Sequence, residues 1–118
     1  MSDGKPTLFR PGPGKRGMTE LHYAAYCGNG DELVRCLRAG MDPNQKDEYR
    51  GYTSLLWLMD MAATGGPRVE MLHTLIRHGA DLHARSRDGL SALTLAREAG
   101  SQTGDELVEA LIALGATE

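Results

Sequence analysis

Aromatic residues are scarce in this chain, at 5% of 118 residues, with a single Trp and a single Phe. A core built without them falls to Leu, Ala, Ile, Val and Met, which favours helices packed through small side chains over a β-sandwich. No window approaches the ~18 uninterrupted apolar residues of a membrane span, so no membrane association is expected. The N-terminal stretch MSDGKPTLFRPGPGKR has no apolar run of the secretory kind, which makes a cytoplasmic, reducing setting the expectation. Two cysteines, Cys27 and Cys36, are too few for a disulfide framework and are expected as free thiols. A phosphate cradle is missing too. No glycine-rich loop follows a strand pattern with a Walker-type Lys, and GPGKR (12–16) has the wrong spacing.

What the chain does have is uneven charge and internal repetition. Residues 1–16 carry Lys5, Arg10, Lys15 and Arg16 against Asp3, a net of +3, while the whole chain is −3, leaving −6 on residues 17–118. An acidic body disfavours a nucleic-acid backbone and suits a basic protein partner; solubility is its plainer use. A chain of 118 residues is expected to form one domain.

Three segments share one frame: GMTELHYAA (17–25), GYTSLLWLM (51–59) and GLSALTLAR (89–97). Each has Gly, then Thr or Ser two residues on, then Leu two further. A second frame follows each of them, in LRAGMDPN (37–44), IRHGADLH (76–83) and IALGAT (112–117). Between the frames the spacing is helical. Leu21, Ala24 and Ala25 recur as Leu55, Leu58 and Met59 and again as Leu93, Ala96 and Arg97, one stripe at i, i+3, i+4. Leu33, Cys36 and Leu37 recur as Leu72, Leu75 and Ile76, then as Val108, Leu111 and Ile112, which puts Cys36 in a leucine column as a small core hydrophobe. Gly40, Gly79 and Gly115 fall where a helix ends in a left-handed residue. The extra residues of the later copies, ATGGP (63–67) and SQTGD (101–105), read as loops between paired helices.

On these residues the chain resembles the ankyrin-repeat family. TELHYAAYCGNGDELVRCLRAGMDPN is similar to one complete repeat, whose pattern runs T-P-L-H-x-A-A-x-x-G, a second helix, then G-A-D-x-N. It departs at Glu20 and Met41; the second copy departs with Leu56 at the His position and His83 at the Asn position. The resemblance implies an all-α, short ankyrin-repeat solenoid of three helix-loop-helix units with hairpin-like connecting loops. The units fall at about 17–50, 51–88 and 89–118, forming an ankyrin-repeat domain over 17–118 behind a basic, Pro/Gly-rich tail (1–16). Arg97, standing where the first copy has Ala25, suits an end unit with a polar outer face, and Phe9 in the tail is a candidate plug for the open side of the first unit.

Candidates for chemistry have structural readings. Thr19 and His22 have the spacing of a capping box, with imidazole in place of Glu or Gln, so His22 is expected to hold a helix start. His73, His78 and His83 lie five apart, not the i, i+3 or i, i+4 of helical metal ligands, so no metal is expected. The pairs Asp31–Glu32 and Asp105–Glu106 open second helices, where carboxylates favour the dipole; Asp47–Glu48 lies in a connecting loop. No catalytic residue and no cofactor is therefore expected, and the chain reads as a non-enzyme.

The family resemblance implies binding through the concave face and the loop tips. Carried over position by position, it singles out Tyr23, Tyr26, Trp57 and Asp60 on the first helices. At the loop tips it singles out Tyr49, Arg50, Tyr52, Arg85 and Arg87. Tyr, Trp and Arg are the types enriched at binding hot spots. The expected function is a protein–protein interaction module. As an inhibitor or immunity protein it would hold a basic toxin or enzyme; the alternatives are a scaffold, a regulatory subunit of a cytosolic enzyme, or a self-assembling protein. A monomer or one part of a hetero-complex is expected.

Overall fold

A computed structural model describes residues 18–62 and 67–117. The tail, Phe9 and most of the ATGGP stretch lie outside the described residues. Six helices follow one another: α1 (Glu20–Cys27), α2 (Gly30–Arg38), α3 (Ser54–Asp60), α4 (Arg68–Arg77), α5 (Ala92–Glu98) and α6 (Gln102–Leu114). They pack as three pairs in two layers, with α1, α3 and α5 side by side in one and α2, α4 and α6 in the other. The fold is all-α, with a single isolated β-bridge, Arg85 to Ser91, among the described residues.

The repeated frames become repeated caps. Thr19, Thr53 and Ser91 are the N-caps of α1, α3 and α5, each side-chain oxygen accepting a backbone N–H three residues on. At the other end of each unit, Gly40, Gly79 and Gly115 have φ of 93°, 93° and 100°. Each forms the same two bonds. The glycine N–H donates to the carbonyl three residues back, and the next N–H to the carbonyl five residues back. This closure satisfies helix-end carbonyls and needs a left-handed residue, which only glycine adopts without strain.

The stripes meet between the layers. Leu21, Ala24 and Ala25 of α1, Leu55, Leu58 and Met59 of α3, and Leu93 and Ala96 of α5 are buried against Leu33, Cys36, Leu72, Leu75, Leu107 and Leu111 of the second helices. Cys36 is fully buried as its column requires, and burial pushes its thiol up to about 11. Arg97 is exposed, while Ala25 and Met59 in the same column are covered.

One expectation is corrected here. SQTGD is not a loop: Ser101 caps α6, accepting from the Gly104 N–H, and the helix begins at Gln102. The extra residues lengthen the helix to 13 residues, against 9 in α2 and 10 in α4. Gly104 is there for contact, since a Cβ on it would lie 2.7 Å from the Ala96 carbonyl oxygen at the end of α5.

Candidate protein-binding surface

His22 sits under the first loop. Its Nδ1 accepts the Thr19 backbone N–H at 2.9 Å, completing the capping box, so its Nε2 carries the proton and donates to the Gln45 carbonyl at 2.8 Å. The ring is 2% exposed, and burial lowers its pKa against the opposing pull of the Gln45 carbonyl. Both nitrogens are committed to backbone, which fits a positioning role. His73, His78 and His83 stay apart at the surface, with His78 Nδ1–H donating to Thr74 O at 2.9 Å. Metal-ligating atoms do gather at Glu20, Glu32 and Cys36, within 4.8 Å of one another. The Arg35 guanidinium stands among them, paired to Glu20 at 3.4 Å and to Glu32, so the cation at this place is the chain's own.

The loop that follows is organised by Asp47, which is 4% exposed. Its Oδ1 accepts three successive backbone N–H groups, from Arg50, Gly51 and Tyr52, at 2.9, 3.0 and 3.2 Å. Its Oδ2 accepts the Trp57 indole N–H at 2.6 Å. One carboxylate therefore fixes both the turn and the orientation of the single Trp. Arg87, from the next loop, grips the same turn from outside. Its guanidinium donates to the carbonyls of Glu48 (2.7 Å) and Tyr49 (3.3 Å), and its backbone N–H to Arg50 O at 3.0 Å. Gly51 makes the approach possible. It has φ +69°, and a Cβ on it would lie 2.9 Å from the Arg87 nitrogen.

Around Trp57 the expected residues come together. Tyr23 neighbours Tyr26 at 5.8 Å between ring centroids, Tyr26 meets Trp57 edge-on at 5.4 Å, and Tyr52 meets it at 4.8 Å. Tyr49 lies nearly parallel to Trp57, at 6.4 Å and 6°. The Arg50 guanidinium lies over three of these rings, 5.2 Å from Tyr49, 5.8 Å from Tyr52 and 5.9 Å from Trp57, and pairs with Asp60 at 3.4 Å. A cleft of about 310 Å³ opens beside it, lined by Tyr49, Arg50, Tyr52, Arg87, Asp88 and Leu90. Arg85 stands apart, donating to the Gly89 carbonyl of its own loop at 3.0 Å. Trp57 and Tyr52, at 4% and 2% exposed, are the floor of this surface; Tyr23, Tyr49 and Arg50 are its accessible part.

Two residues that shape the surface were not among those the sequence singled out for it. Asp47 was legible in part, since an Asp ahead of a tight turn bonds the backbone beyond it. Arg68 carried no signal. Fully buried at the start of α4, it donates from Nη1 to Ala25 O (2.8 Å) and Leu58 O (3.1 Å), and from Nη2 to Tyr26 O (3.1 Å). It closes the C-terminal ends of α1 and α3, where the dipole favours a cation. That holds side by side the two helices that carry Tyr26 and Trp57.

A stack of three helix pairs with the same caps and closing glycines defines a helical-repeat protein as the class. The family model for the ankyrin repeat matches residues 16–48, and the chain belongs to the ankyrin-repeat family. It is 35% identical over 79 residues to SH3 and multiple ankyrin repeat domains protein 1 of Homo sapiens, covering 67% of this chain and 4% of that protein. The Mus musculus protein of the same name matches equally. DNA-binding protein RFXANK of Homo sapiens is 34% identical over 80 residues, covering 68% of this chain and 29% of that protein. The chain thus spans a minor part of the length of these curated relatives. Ankyrin repeats generally mediate protein–protein interaction and are generally non-catalytic. Among the described residues no helix is long and apolar enough to cross a membrane.

Proposed function

We propose that this chain binds a protein partner through the face formed by Tyr23, Tyr26, Trp57, Asp60 and the loop tips at Tyr49, Arg50, Tyr52, Arg85 and Arg87, without catalysing a reaction. The observation that carries this is the continuity of the aromatic cluster, which joins all four Tyr and the only Trp of the chain, three of these rings meeting one arginine. Aromatics are scarce in this sequence, and although Tyr52 and Trp57 also join the core, gathering all five rings at one edge supports a binding surface. Rigid loops add to it: Asp47 and Arg87 fix the tip before any partner arrives, which lowers the entropy cost of association. The net negative charge supports a basic protein as partner, with no nucleic acid, and an inhibitor or immunity protein acting in the cytoplasm as the finer reading. The DNA binding in the name of RFXANK is not carried over to this chain, for the same reason of charge.

The test is affinity capture from the native lysate with the wild-type chain and with Trp57→Ala/Arg50→Ala. Loss of a specific captured protein with the fold retained is the expected result; undiminished capture refutes the assignment of the face. A second reading, end-to-end self-assembly, has Ile112 in its favour. It is 54% exposed on α6, in the column where Leu37 is 5% exposed. Sedimentation across a hundredfold range of concentration separates the two.

A further inference from the structure

The surroundings of Arg50 have the composition of a cation box. Three electron-rich ring faces and one carboxylate converge on a guanidinium: Tyr49, Tyr52 and Trp57 with centroids at 5.2 to 5.9 Å, and Asp60 at 3.4 Å. Ring quadrupoles attract a cation at this range, and a nearby carboxylate adds its charge. The cation in place belongs to the chain itself.

The walls stand without it. Trp57 is oriented by its indole bond to Asp47, and the turn carrying Tyr49 and Tyr52 is held by Asp47 from inside and Arg87 from outside. The Arg50 guanidinium is thus not needed to fix the loop. Its ties lie at an open edge: the Arg50 side chain is 48% exposed, its ion pair with Asp60 is largely screened by water, and its remaining partners are the Tyr49 and Tyr52 side chains and the Trp57 ring, which an incoming cation could engage in its place. A preformed box with a half-exposed internal cation that its walls do not need fits exchange better than it fits a structural tie.

We propose that the box is an arginine-binding subsite of the partner face, self-occupied by Arg50 in the free protein, and that a partner's arginine side chain takes the place of Arg50 on docking. The class of ligand follows from what the box already accommodates, a planar guanidinium against two nearly parallel rings with Asp60 as counter-charge, and from the negative charge of the chain. The proposal rests on the protein-binding reading of this face and names the group that the face recognises.

The test uses a blocked pentapeptide, Gly-Gly-Arg-Gly-Gly, and its citrulline counterpart, which keeps the shape and removes the charge. Trp57 is the sole Trp, so its emission reports the box directly. With Arg50→Gln we expect a saturable change with the arginine peptide, at an apparent affinity about 10-fold above wild type and above the citrulline peptide. In the wild-type chain the Arg50 Nε resonance is expected to shift as the arginine peptide is added and to stay put with citrulline, a readout that does not require the variant to fold. No saturable response in folded Arg50→Gln, equal responses to the two peptides, or a stronger response to a trimethyl-lysine peptide would overturn the proposal. Failure here with capture still sensitive to Trp57→Ala/Arg50→Ala removes the arginine subsite and leaves the binding face; insensitive capture removes the face.

Discussion

Replacing Arg68 by Met tests the architecture most directly. The guanidinium is fully buried and reaches Ala25 O, Leu58 O and Tyr26 O at 2.8 to 3.1 Å. Two effects oppose each other. Removing a buried charge relieves desolvation, and apolar replacements of buried ionic groups are sometimes neutral or stabilising. Those neutral cases replace every member of the group. Here the carbonyls remain, and Tyr26 O and Leu58 O lie in last helical turns, where among the described residues no intrahelical N–H reaches them. Taking the donor from one buried and one part-buried acceptor costs about 1–3 kcal/mol each, the Tyr26 carbonyl at the lower end. Methionine keeps the volume of the stem, so little cavity energy adds to this. With partial relief from desolvation, the net loss is about 3 kcal/mol, a large part of the ~5–15 kcal/mol that holds a domain together. At roughly 4–8 °C per kcal/mol for a chain of this size, Tm falls by roughly 12–24 °C. Urea unfolding followed by circular dichroism measures it, with Arg68→Lys as the companion. Lysine keeps the charge but loses the planar fork, and should fall between the two. An Arg68→Met protein as stable as wild type would mean that desolvation wins and that the helix ends need no clamp.

Gly104→Ala should destabilise by about 1–3 kcal/mol by overpacking, although alanine is worth about 1 kcal/mol more than glycine in a helix interior, because its Cβ would lie 2.7 Å from the Ala96 carbonyl; a rise in Tm refutes the contact. His22 has a folded pKa lowered by burial from the ordinary 6.5, so the unfolded chain binds the proton more readily and stability is full above that value. Stability should fall as pH drops below about 6.5, and this slope should vanish in His22→Gln; a profile unchanged by the substitution excludes His22 as its source. Asp47→Asn presents an amide N–H to either the backbone donors or the indole, at a cost of about 2 kcal/mol. It should also shift the Trp57 emission; an unmoved spectrum at unmoved Tm refutes the role given to the carboxylate.

The features legible in the sequence rest on chemistry between near neighbours. The Thr/Ser caps, the closing glycines and the leucine columns each involve residues within a turn or two, and three copies made their phase visible. The candidate face was legible as residue types at helical positions, but not its depth. Tyr23, Trp57 and Leu95 each stand four residues after a helix cap, yet Tyr23 is 38% exposed while Trp57, under the loop tip between α1 and α5, and Leu95, against α3, are 4%. SQTGD misled because glycine and small polar residues signal a turn by default; Gly104 serves a close approach inside a helix instead. Arg68 was illegible because its partners lie up to 43 residues away and are backbone carbonyls, which any sequence supplies.

The polar clamps also order the way the stack opens. Arg68 joins α4 to the ends of α1 and α3, Asn44 bonds Gly79 O and the Asp81 N–H, and Arg87 grips the turn at 48–50. All three bind the first helix pair and its loop to the second. In a linear array each pair answers mainly to its neighbours, so these bonds make the first two pairs one unit of slow amide exchange. The pair α5–α6 lies outside that unit, and its amides are expected to exchange first. A fluctuation that frays α5–α6 leaves the Trp57 cluster assembled, so the proposed face is expected to outlast the momentary loss of a third of the stack.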